Sequence, residues 1–103
     1  MGADDLKRLW VDGTCPAPSG WIWAKSYRSA LRLLEKHDWG FHSVSLGHDL
    51  GGNKTGYDLI CFFEERFYAG GIIPLIGVHT NDVAARSRML DLASGLNGAM
   101  IKG

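Results

Sequence analysis

Three apolar runs in the sequence break on side chains that can do chemistry: Trp10-Val11-Asp12-Gly13, Ser45-Leu46-Gly47-His48-Asp49 and Val78-His79-Thr80-Asn81-Asp82. His48 and His79 are the most suggestive pair. Imidazoles change charge near neutral pH, so one ring can take a proton from water while the other gives one to a departing hydroxyl. Asp49 or Asp82 is placed to orient one ring, which makes Asp49 a third catalytic candidate, and Thr80 can donate a hydrogen bond to an anion's oxygen. Asp12 and Asp49 are also the carboxylates that magnesium or manganese would use, because such ions take one or two carboxylates and complete their shell with water. Gly51-Gly52-Asn53-Lys54-Thr55-Gly56 leads into a helix, whose free amides and positive dipole end favour an anion. Lys54 and Thr55 would contact that anion, with Arg86 approaching from a later helix. The order and spacing are not those of a P-loop.

Each of these residues also has a plainer reading. Asp12 can end a strand and accept hydrogen bonds from turn amides. His48 can pack in its loop, His79 can satisfy a backbone carbonyl, and Lys54 can sit in water. His37 and His42 fall at a helix end and a strand start and read as structural. Trp21 and Trp23 could stack a base or pack into a core or an interface. Cys15 lies in a loop with nothing nearby that argues for a thiolate.

An alternation of strands and helices must position these groups. Lys7–Val11 reads as a buried strand stopped by Asp12-Gly13. Pro16, Pro18 and Gly20 make the next stretch a loop, and Trp21–Lys25 suits an edge strand. Ser26 can cap a helix with Tyr27, Ala30, Leu31 and Leu34 on one face, and Gly40 can supply a left-handed stop. Phe41–Leu46 is a third strand. Thr55 with Asp58 is a capping-box-like start to a helix that buries Leu59, Ile60, Phe63 and Phe67 and ends at Ala69-Gly70-Gly71. Ile72–Val78 is nearly all apolar, as for a strand covered on both faces. Asp82 can cap a third helix carrying Ala85, Met89, Leu92 and Leu96, with Asn97-Gly98 as its end and a frayed tail or short strand beyond. Short connections between alternating elements imply right-handed crossovers in a mainly parallel sheet. The fold class is therefore three-layer α/β, with four strands in the order 2-1-3-4 and three helices. That order brings Asp12, Asp49 and His79 side by side at the carboxyl edge, where ligands collect in such sheets.

At 103 residues the chain is expected to be one domain, residues 1–103, with 46% apolar and 11% aromatic content typical of a globular core. Eleven basic and eleven acidic residues cancel, so no bulk field draws nucleic acid or a membrane. No apolar run is long enough to span a bilayer, and the acidic start Met1-Gly2-Ala3-Asp4-Asp5 lacks a signal peptide's apolar segment. Cys15 and Cys61 form neither a zinc pattern nor a disulfide framework, so a reducing, cytoplasmic setting is expected.

In this arrangement the chain resembles the cyclic-phosphate-processing receiver family, a branch of the response-regulator receiver fold, over roughly Leu9 to Met89. Three ordered signatures carry the resemblance. The first is an apolar strand, Asp12, Pro16-Ala17-Pro18 and Gly20-Trp21. The second is Ser45-Leu46-Gly47-His48-Asp49-Leu50-Gly51 followed by Thr55-Gly56-Tyr57-Asp58, and the third is His79-Thr80-Asn81-Asp82 with Arg86 and Met89. The family pattern has aspartates where this chain has Gly13 and Gly47, an arginine where it has Cys15, and an asparagine where it has Asp82. The resemblance implies a phosphate-processing pocket for cyclic phosphate ends of RNA or nucleotides, and the departures fall where its chemistry would be done.

Two functions are expected from this. The first is a binding, interaction or inhibitor module with a degenerate site, which takes a nucleotide or phosphate ligand or a protein partner. A decoy of the kind mobile elements carry would suit its size. The alternative is a cyclic-phosphate hydrolase using His48 and His79 as acid and base. Trp39, Phe41 and Tyr68 are candidate contact residues, and a homodimer could form through the sheet edge at Trp21–Ala24.

Overall fold

Each helix begins where the sequence supplies a cap. Ser26, in extended conformation, accepts from the Ser29 amide while the Ser29 hydroxyl accepts from the Ser26 amide, and this opens α1 (Tyr27–Lys36). Thr55 and Asp58 exchange the same two bonds at the start of α2 (Gly56–Tyr68). Asp82 accepts from the Ala85 amide at 3.0 Å and opens α3 (Val83–Lys102). Such caps are worth about 1 kcal/mol each. The structure, a computed structural model, describes residues 6–102; the acidic start noted above lies outside them.

Between the helices run β1 (Arg8–Val11), β2 (Ile22–Ala24), β3 (Ser43–Leu46) and β4 (Leu75–Val78), all parallel in the order β2-β1-β3-β4. Strand order, parallel pairing and helix number match the sequence reading. The layering does not. Leu9, Val11, Ala24, Val44, Leu46 and Ile76 are buried on one face, while Trp10, Ser43, Ser45, Leu75 and Gly77 on the other are half-buried or exposed. The buried rows form a single core with Ala30 and Leu34 of α1, Leu59 and Phe63 of α2, and Met89 and Leu96 of α3. All three helices therefore cover the same face, giving two layers rather than three. The cause is the connection from β1 to β2, which holds no helix; its loop is tied down by the Trp10 indole N–H donating to the Cys15 carbonyl at 3.0 Å. For the same reason β4 is covered on one face only, with Leu75 37% exposed beside Ile76 at 5%.

Two terminations also differ from expectation. Gly40 is not the left-handed residue after α1: Asp38 and Trp39 are, at φ 53° and 60°. A bulky side chain is strained there, and burial offsets the strain. Trp39 packs against Phe62 and Phe63, with the Arg66 guanidinium 3.8 Å from its ring centroid. Trp39 and Phe41 are thus core residues rather than surface contacts, whereas Tyr68 is exposed. Helix α3 runs through Asn97-Gly98, because the Asn97 side chain is used elsewhere. Its carboxamide accepts from the Ile76 amide and donates to the Ile76 carbonyl, both at 2.9 Å, and so pairs with the outer edge of β4 as a neighbouring strand would.

Candidate functional site

The carboxyl ends of β1, β3 and β4 meet at Asp12, Gly47 and His79. Asp12 is 8% exposed and fully engaged. One oxygen accepts from the Thr14 and Cys15 amides at 2.8 Å, and the other meets His79 Nε2 at 2.9 Å. His79 Nδ1 lies 2.8 Å from the Ser45 hydroxyl, and the ring stacks on Trp10 with centroids 3.7 Å apart and planes 9° from parallel. Burial pushes the Asp12 carboxyl up, yet the Cys15 and Thr14 amides and the His79 ring outweigh it and hold the carboxyl below its ordinary value. With Asp12 a carboxylate, Nε2 is the ring's donor, and in the neutral imidazole Nδ1 accepts from Ser45. Both nitrogens of His79 are committed within the protein.

Gly47 makes this pairing possible. A Cβ there would lie 2.7 Å from the Asp12 oxygen that meets His79 and 3.2 Å from Nε2 itself. The position at which the family pattern carries an acid is, in this chain, filled from above by the Asp12–His79 pair.

Around the pair lies a pocket of about 210 Å³ lined in part by His48, Asp49, Thr80, Asn81 and Asp82. The three strand ends singled out in the sequence are therefore brought together. His48 is half-buried, and among the described residues no hydrogen bond to its ring is found. Asp49 is exposed and accepts from the Gly51 amide at 3.0 Å. The expected anion-binding residues separate. Only Thr80 lines this pocket; Thr55 is spent on the α2 cap, Arg86 is exposed on α3, and Lys54 lies toward α1 with its ammonium 5.6 Å from the Tyr27 ring centroid. Both Asp12 oxygens already meet partners within the protein, and among the described residues no group of three or more His, Cys, Asp or Glu side chains is gathered as a metal-holding cluster.

The family model of the cyclic-phosphate processing receiver domain matches residues 7–95. The chain belongs to that family. Neither the curated proteins nor the solved structures hold a match to it. The match reaches beyond the Leu9–Met89 span of the sequence signatures at both ends. Within this receiver domain, the residues that sequence reasoning passed over are Ser45 and Trp10, which fix the His79 ring from two sides. Strand alternation was the available signal: Trp10, Ser45 and Gly77 occupy one registered row on the face from which His79 projects. No helix among the described residues is long and apolar enough to cross a membrane.

Proposed function

We propose that this receiver domain binds a phosphate-bearing ligand of nucleotide type at the carboxyl edge of its sheet and holds it without processing it. The supporting observation is the commitment of His79, with one ring nitrogen on Ser45 and the other on Asp12. Opening a cyclic phosphate by acid–base catalysis asks for two groups free to exchange protons with the ligand and water. His48 is the one imidazole of the pocket with open nitrogens. His79, Ser45 and Trp10 are positioning residues that shape the wall against which the ligand rests.

Calorimetry with a 2′,3′-cyclic mononucleotide, followed by mass spectrometry of the recovered ligand, tests this. Binding is expected with the nucleotide recovered intact, unchanged by manganese or by chelator, and weakened about tenfold in His48→Ala. A linear phosphate product that disappears in both His48→Ala and His79→Ala would replace this reading with the hydrolase. No heat of binding would leave a protein partner as the function.

A further inference from the structure

The pocket at the strand ends has an electrostatic imbalance. It is lined by Asp12, Asp49 and Asp82 and by no lysine or arginine. A few residues along the same loop, the charge reverses. A cleft of about 360 Å³ opens between α1 and residues 50–54, lined by Arg28, Lys54, Tyr27, Leu31, Leu50 and Asn53 among others, and no acidic side chain lines it. The size is that of a small-ligand site. Arg28 and Lys54 are exposed, and among the described residues neither is in an ion pair. Two exposed cations beside an aromatic ring and two leucines match a ligand with an anionic end and a flat apolar body.

We infer that this cleft is a second ligand site, taking the phosphate of a mononucleotide between Arg28 and Lys54 and its base against Tyr27, Leu31 and Leu50. The inference rests on the nucleotide reading given above and adds a separate site at which a nucleotide's charge meets cations rather than carboxylates. Arg28 supplies the planar fork suited to phosphate oxygens, and Lys54 a point charge. In the structure Lys54 lies over Tyr27, and both also border a depression lined by Asp58 and Glu65. An anion in the cleft must draw Lys54 away from those carboxylates. Arg28 lines only the cleft of the two, and is the stronger determinant.

The test uses a 5′-mononucleotide without a cyclic phosphate, and inorganic phosphate alone, titrated into the full chain and followed by calorimetry and amide NMR shifts. The mononucleotide is expected to shift the Leu31 and residue 50–54 amides. Its affinity is expected to fall about tenfold or more in Arg28→Ala, less in Lys54→Ala, and with rising salt. Arg32→Ala, an exposed cation on the same helix outside the cleft, is expected to bind as wild type. Unchanged affinity in Arg28→Ala, or equal losses in Arg28→Ala and Arg32→Ala, would overturn the inference. Inorganic phosphate binding as tightly as the mononucleotide would overturn the part assigned to the base. Failure of the cyclic nucleotide to bind at the strand ends, with Arg28-dependent mononucleotide binding intact, would sink the functional reading and leave this one standing.

Discussion

At the scale of single residues, Asp12 carries the most. Its carboxyl is nearly buried, yet two amides and an imidazole keep it below the ordinary carboxylate value. The folded chain therefore binds this proton more weakly than the unfolded chain does. The stabilisation is complete above about pH 4 and is lost as pH falls below that. Denaturant unfolding followed from about pH 6 to about pH 3 is expected to show wild type losing stability more steeply than Asp12→Asn, which cannot titrate there. Equal pH dependences would remove Asp12 from that role. The types Asp12, His48, Asp49 and His79 were legible in the sequence because polar residues ended apolar strands. Their bonding was not legible: nothing local to residue 12 announces that a ring 67 positions away will occupy its second oxygen. Gly47 read as a missing acid, and only the structure gives it a positive use, as the space into which Asp12 and His79 close.

At the scale of elements, caps were the most transparent signals. Ser26, Thr55 and Asp82 each bond the amide three residues on, as their types and spacing indicated. Stops were less so. Gly40 and Asn97-Gly98 are ordinary helix terminators by local propensity, and tertiary packing overrode both: Trp39 enters the core, and Asn97 finds better partners on β4 than at a helix end. Asn97→Ala removes two hydrogen bonds and leaves the Ile76 amide and carbonyl without them. It is expected to cost about 2 kcal/mol in denaturant unfolding and to speed hydrogen exchange at Ile76 more than at neighbouring amides. Exchange at Ile76 unchanged from wild type would show that the side chain does not secure that edge.

At the scale of the whole molecule, parallel pairing and strand order followed from alternation and connection length, but layering depended on one connection. The proline-bearing loop between β1 and β2 holds no helix, as its residues indicate, and without one the second face of the sheet stays open. The sheet is therefore asymmetric in what substitution costs. Ile76→Ala, on the helix-covered face, is expected to lose about 2–4 kcal/mol. Leu75→Ser, the adjacent residue on the open face, is expected to lose under about 1 kcal/mol. Comparable losses at the two positions, measured by thermal or denaturant unfolding, would mean that something covers the open face in solution.

The two flanks of the sheet are also unequal in what they offer another copy. On the β4 side, Pro74 has no amide proton and Ile76 is already bonded by Asn97, while on the β2 side the main chain of Trp23 faces outward, alternate to the Ala24 carbonyl that accepts from Asp12. The β2 flank therefore leaves main-chain groups open to strand pairing, whereas the β4 flank has Ile76 already occupied. The asparagine that holds the last helix to the sheet thus also occupies main-chain groups that strand addition at that flank would need.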